Sequence, residues 1–246
     1  MAMNLCIDWG NTLVKAGLFE NGQLTASFSF PAHDARNRVE GLLEEHKPSY
    51  AIISSVSNQS ADIEDLIGAN VKRLIKMDDR TPTPVMNAYS SDSVGADRLA
   101  MAVGAHAANP AKNNLVVCLG TCITYNFVQN NRTFRGGAIS PGLQMRLRAM
   151  HEFTDKLPQV NLEGETLLLG YDTDTCMRSG AVYGIMSEVD GMVNEFAAKY
   201  SDFNAVLTGG DMQYFEGKLK CEIFADPDII LKGLNIILKH NVPQAV

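Results

Sequence analysis

The chain has 246 residues, a length between one domain and two at roughly 150 residues each, and ample for a large buried core. Hydrophobic residues make up 46% and charged residues 20%, which excludes a disordered or fibrous chain. With 21 Lys and Arg against 28 Asp and Glu, the net charge is -7 and no basic run occurs, so nucleic acid and anionic membrane surfaces are poor candidates as partners.

Leu5-Cys6-Ile7-Asp8 is an apolar run that predicts a strand, Trp9-Gly10-Asn11-Thr12 a tight turn, and Leu13 to Phe19 a second strand. Asn21-Gly22 is the strongest short hairpin signal, because both residues accept positive φ, and Leu24 to Phe30 then completes an antiparallel meander. Arg36 to His46 reads as an amphipathic helix with Val39, Leu42 and Leu43 on one face. A buried strand follows at Tyr50 to Val56, then a short helix opened by Ser60 as N-cap. After the Ala-rich helical run Leu99 to Ala108 the opening pattern returns about 110 positions later, Gly120 answering Gly10. Leu115 to Cys118 is the strand, Leu119-Gly120-Thr121 the turn, Cys122 to Val128 the second strand, Asn130-Asn131 the next turn and Arg132-Thr133-Phe134 the start of a third strand. A helix from about Gly180 to Tyr200, a strand at Ala205-Val206-Leu207 and a closing helix from Pro227 to His240 follow. Repetition and alternation together predict an α/β fold with mixed sheets, built as two duplicated lobes, 1–112 and 113–246, around a cleft.

The five cysteines are odd in number and lack C-x-x-C, so neither a disulfide framework nor a thiolate zinc site is suggested. With no signal-peptide pattern at the start and no long apolar run, the expected compartment is the cytoplasm. There is no G-x-S-x-G, G-x-G-x-x-G or Walker-type loop, which removes the main support for hydrolase, Rossmann dehydrogenase and P-loop readings.

Two constellations can carry chemistry. In Asp8-x-Gly10-Asn11-Thr12-x-x-Lys15 the turn offers backbone N–H groups to phosphate oxygens, Asn11 and Thr12 add side-chain donors, Lys15 adds positive charge, and Asp8 can hold a hydrated Mg²⁺. A plain hairpin turn is the alternative, weighed against a second such turn at Gly120-Thr121. In Gly95-Ala96-Asp97-Arg98 a carboxylate and a guanidinium stand together at a helix start. Asp97 there is either a capping residue beside a surface Arg or a base that accepts a proton from a substrate hydroxyl.

Taken in order, these motifs resemble the type III pantothenate kinases of the acetate and sugar kinase and actin-like ATPase superfamily. The match runs through Asp8 to Lys15, Gly95 to Arg98, Cys118 to Thr124, Gly136-Gly137-Ala138-Ile139-Ser140-Pro141-Gly142, Thr154 to Pro158, Asp172-Thr173 and Thr208-Gly209-Gly210. The resemblance implies duplicated actin-like lobes of ribonuclease H type, and ATP-dependent phosphorylation of pantothenate to 4'-phosphopantothenate, the first step of coenzyme A biosynthesis. It implies Asp97 as general base, with Gly95, Ala96, Arg98 and Thr173 at the substrate. Tyr89 joins them as the aromatic residue upstream, six positions before Gly95 where the family usually has seven. Asp8, Trp9, Gly10, Asn11, Thr12, Leu13, Val14, Lys15 and Thr121 would bind ATP, with Mg²⁺ at Asp8, and a homodimer would complete the pocket. Cys118 stands where the family usually has an Asp that binds K⁺ or NH₄⁺. A thiol is a poor ligand for a hard cation, so little response to either ion is expected. A second reading is a nucleotide-binding regulatory protein of the same fold without turnover.

Overall fold

A computed structural model describes residues 3–10, 12–55, 61–90 and 94–245. Asn11, Val56 and the Ser60 cap lie outside the described residues. The first sheet has the order β3-β2-β1-β4-β5, with β1 at Met3–Trp9, β2 at Leu13–Glu20, β3 at Gln23–Pro31, β4 at Tyr50–Ser55 and β5 at Arg73–Met77. The β1-β2 and β2-β3 pairs are antiparallel, β1-β4 and β4-β5 parallel, so the expected meander forms and the sheet is mixed. Asn21 and Gly22 take φ of 52° and 80°, the left-handed pair that this two-residue hairpin requires.

The second sheet has the order β11-β10-β7-β8-β9-β6. Its strands are β6 (Met86–Asn87), β7 (Asn113–Leu119), β8 (Cys122–Val128), β9 (Thr133–Pro141), β10 (Phe203–Thr208) and β11 (Phe224–Ala225). Reading β9-β8-β7-β10-β11 reproduces the order of the first sheet, which is the duplication expected from Gly10 and Gly120. The short β6, added at β9, has no counterpart in the first sheet.

Seven α-helices occur among the described residues: α1 (Ala35–His46), α2 (Ala61–Asn70), α3 (Ala96–Ala108), α4 (Leu143–Glu152), α5 (Thr173–Lys199), α6 (Met212–Phe215) and α7 (Ile229–Asn241). The long helix begins at Thr173 rather than near Gly180. Asp172 caps it, accepting from the Thr175 backbone N–H at 2.8 Å and from its hydroxyl at 2.6 Å. β5, β6, β11, α4 and α6 are additions to the predicted elements.

The chain divides into two compact units that do not follow the chain consecutively. One comprises Met1–Asn114, Asn126–Gly136 and Asp228–Val246, the other Leu115–Tyr125 and Gly137–Pro227. In the first unit, alternation along β1 sends Leu5, Ile7 and Trp9 into an apolar core with Val39, Leu43 and Ile67 of α1 and α2. Asn4, Cys6 and Asp8 therefore face the other side, where Asn4 donates to Asn235 of α7 at 2.9 Å. That side is covered by α3 and α7, which approach unusually closely. A Cβ on Gly233 would lie 1.8 Å from the Ala100 carbonyl oxygen, and one on Gly104 would lie 2.3 Å from that of Ile229. This packing carries the α3 start to the same side of the sheet as Asp8.

Candidate active site

In the first unit, Asp8, the last residue but one of β1, is in register with Lys15 on β2 and Ser54 on β4. Burial raises its pKa to about 7, the charge of Asp97 adds to the rise, and Lys15 opposes it. Asp97 lies in the first turn of α3, with Gly95 as N-cap. A Cβ on Gly95 would fall 2.4 Å from the Asp97 Oδ1 atom, so a larger residue here would displace the carboxylate that folds back over the glycine. Burial also raises the Asp97 pKa, against hydrogen bonding from the Arg98 backbone N–H and the charge of Arg98. Two carboxylates from distant parts of the sequence are thus electrostatically coupled, each more basic than an ordinary Asp. Neighbouring like charges with oxygen donors suit a hard divalent cation held by one carboxylate together with water and phosphate oxygens. The donor set at Asp8 fits Mg²⁺. The thiol of Cys118 does not fit K⁺ in the same way.

The turn after β1 is closed by the Gly10 N–H, which donates to the Leu13 carbonyl at 3.1 Å. Thr12 and Leu13 are exposed and Lys15 half-buried, whereas Trp9 and Val14 are buried in the core. What Trp9 and Val14 can offer a ligand is therefore backbone.

Arg98 is only 6% exposed. Its Nε donates to Asn126 Oδ1 at 2.6 Å, and its guanidinium carbon lies 5.4 Å from the centre of the Tyr89 ring and 5.9 Å from that of Phe134. These contacts lock the guanidinium next to the Asp97 helix start. Tyr89 in turn packs on Gly136, whose φ is 87° and whose missing Cβ would sit 2.6 Å from the ring. Asn126 and Phe134, which the sequence showed only as strand residues, hold Arg98, and Gly136, part of the Gly136 to Gly142 motif, makes room for the Tyr89 ring.

In the second unit three motifs converge on one turn. The Gly120 N–H donates to the Cys122 carbonyl at 3.1 Å, and the Gly142 N–H donates to the Thr121 carbonyl at 3.1 Å. A Cβ on Gly142 would lie 2.0 Å from the Gly120 oxygen. From the other motif, Gly209 with φ 103° leaves room for the Leu119 carbonyl, which accepts from the Asp211 N–H at 3.0 Å. Thr121 itself is exposed at the tip. Thr173 is also exposed, in the first turn of α5, and lines a shallow pocket of about 560 Å³ with Met150, Leu157, Tyr171, Cys176 and Met177.

Two solved structures share this fold. A Baf family protein from Campylobacter jejuni aligns with a TM-score of 0.60 at 19% identity, covering 98% of this chain and 99% of that one. The (R)-2-hydroxyglutaryl-CoA dehydratase component A of Acidaminococcus fermentans aligns at 0.56 and 15% identity, covering 100% and 99%. With the repeated sheet order, these likenesses show the fold, an α/β arrangement of actin-like type with two mixed sheets. The family model for type III pantothenate kinase matches residues 4–195. The type III pantothenate kinase of Bacteroides fragilis is 39% identical over 244 residues, spanning 97% of this chain and 98% of its own. This chain belongs to the type III pantothenate kinase family and is an enzyme, a kinase.

Proposed function

We propose that the chain catalyses ATP-dependent phosphorylation of pantothenate to 4'-phosphopantothenate, the first step of coenzyme A biosynthesis, with Asp97 as general base. The observation that carries the assignment of Asp97 is its carboxylate, seated over Gly95 with a raised pKa and coupled to Asp8. Asp97 accepts the proton of the primary hydroxyl as that oxygen attacks the γ-phosphorus, the bond to the bridging oxygen breaks, and ADP leaves. Positioning and charge neutralisation supply most of the rate. Gly95, Ala96, Arg98, Tyr89 and Thr173 hold pantothenate. The backbone of Trp9, Gly10, Leu13 and Val14, the Thr12 hydroxyl and Lys15 bind phosphate oxygens, as does Thr121; Asn11, expected from the sequence to join them, lies outside the described residues. Asp8 would hold Mg²⁺, which when bound neutralises charge on the phosphates.

The lobes at 1–112 and 113–246, action in the cytoplasm and a homodimer belong to the same reading. The dimer is supported by four apolar side chains of the second unit, Phe153, Leu168, Leu169 and Tyr171, each more than 70% exposed. No described helix is long and apolar enough to cross a membrane. A regulatory role without turnover is the weaker reading, because a binder has no use for a basic Asp97 beside Arg98.

The test is a coupled ADP-release assay with ATP and Mg²⁺, with and without pantothenate and K⁺. Pantothenate-dependent release that K⁺ changes little is expected. No such release under any cation condition overturns the reading.

A further inference from the structure

One carboxylate in the second unit gathers four elements. Glu188, in the middle of α5, accepts from the Tyr125 hydroxyl of β8 at 3.0 Å and from the Ser140 hydroxyl of β9 at 2.5 Å, both at Oε1. Its Oε2 pairs with Nη2 of Arg146 on α4. Arg146 reaches further, donating from Nε to the Pro141 carbonyl at 2.9 Å and from Nη2 to the Ser140 hydroxyl at 3.3 Å. Its own backbone N–H donates to the Gly142 carbonyl at 3.0 Å. The corner Ser140-Pro141-Gly142 is thereby clamped on both sides. That corner is also the one whose Gly142 N–H holds the Thr121 carbonyl. Tyr125, four residues beyond Thr121 on the strand leaving the turn, is buried and bound to the same carboxylate. Burial works against the Glu188 charge, but the bonds from Ser140, Arg146 and Tyr125 outweigh it and hold the pKa below the usual value. The group is ionised at neutral pH, with its main partners on the two strands that leave and return to the Gly120-Thr121 turn.

We infer that Glu188, acting with Arg146, is a positioning residue that sets the Gly120-Thr121 turn for the nucleotide phosphates. The inference rests on the proposal that Thr121 contacts those phosphates. Glu188 touches neither substrate. Its effect passes from the carboxylate to the Ser140-Gly142 corner and from Gly142 to Thr121.

The bonding pattern supplies a selective variant. In Glu188→Gln the Oε1 acceptor remains for Tyr125 and Ser140, while an amide NH₂ replaces Oε2 and meets the Arg146 donor, leaving a part-buried guanidinium without its carboxylate partner. Calorimetric titration with a non-hydrolysable ATP analogue and Mg²⁺ reads the consequence without relying on turnover. The expected result is about tenfold weaker nucleotide binding, one charged hydrogen bond's worth, with the KM for pantothenate within about twofold of the unaltered protein. Tyr125→Phe removes a single bond at Oε1 without changing the core volume greatly, and is expected to weaken nucleotide binding by about threefold. It serves should Glu188→Gln fail to fold. A merely structural Glu188 lowers thermal stability and weakens both ligands together. Unchanged nucleotide affinity in both variants, or parallel loss of both ligands, overturns the inference. Absence of pantothenate turnover in the unaltered protein strikes the proposed function instead, and the titration still decides the role of Glu188.

Discussion

The Asp8 carboxyl titrates near 7 in the folded chain against 3.8 in the unfolded one, because burial and the Asp97 charge disfavour its ionised form more than Lys15 favours it. Asp8→Asn removes that ionisation. A folded pKa above the unfolded value means that the stabilising contribution is complete below 3.8, shrinks as pH rises through the interval, and is gone above about 7. At about 1.36 kcal/mol per decade of that interval, the cost of the charge in the apo protein reaches an upper bound of about 4 kcal/mol above pH 7 and about 1.6 kcal/mol at pH 5. That bound already includes the Lys15 attraction; an amide is an imperfect stand-in for a protonated carboxyl, so about 2–3 kcal/mol of added stability is expected at pH 8. The assay is equilibrium urea unfolding of both proteins without nucleotide or metal at pH 5 and pH 8. The gap in favour of Asp8→Asn should widen by at least about 1 kcal/mol between the two, while kinase activity is lost. A gap independent of pH, or an Asn variant less stable than the unaltered protein at pH 8, refutes the electrostatic reasoning.

Asp97→Asn should lower kcat by about 10²–10⁴, measured by steady-state ADP release at saturating pantothenate. It also removes a charge that raises the Asp8 pKa, so Asp8 followed by carboxylate NMR in this variant should titrate below 7. Gly95→Ala should cost about 10–100-fold in kcat through displacement of the Asp97 carboxylate, with little loss of stability. The backbone at φ -58° and ψ 132° suits alanine, so the effect is one of space alone. Arg98→Lys cannot reproduce both the Asn126 bond and the stacking on Tyr89 and Phe134. It should destabilise by about 1.5–3 kcal/mol in denaturant midpoint experiments.

The first meander was legible because its signals are local. Asn21-Gly22 dictates its own turn, and the alternation of Leu5, Ile7 and Trp9 assigns a face without reference to the rest of the chain. Duplication was legible for the same reason, since the strand, turn and strand recur intact around Gly120. The start of α5 was misplaced because its signal is a side-chain bond. Asp172 and Thr175 form a capping box seven residues before the Ser179-Gly180 pair that draws the eye, and Gly180 sits inside the helix with open space around it. α4 escaped notice because only Leu143 and Leu147 of its ten residues are buried, too thin an apolar stripe to read as a period. At the site, Asp97 and Arg98 were visible as neighbours in sequence, but their surroundings were not. Asn126 and Phe134 reach Arg98 only through strand pairing, and nothing in a run of sequence separates Glu188 from the other charges on a 27-residue helix.

The proposed activity with Asp97 as its base is tested most directly by the product itself. Purified protein incubated with ATP, Mg²⁺ and pantothenate should form 4'-phosphopantothenate, seen by mass spectrometry in step with ADP, and the Asp97→Asn variant should form almost none over the same interval. Product formed equally fast by the variant removes Asp97 from the chemistry. ATP hydrolysis without phosphorylated pantothenate in the unaltered protein contradicts the proposed activity.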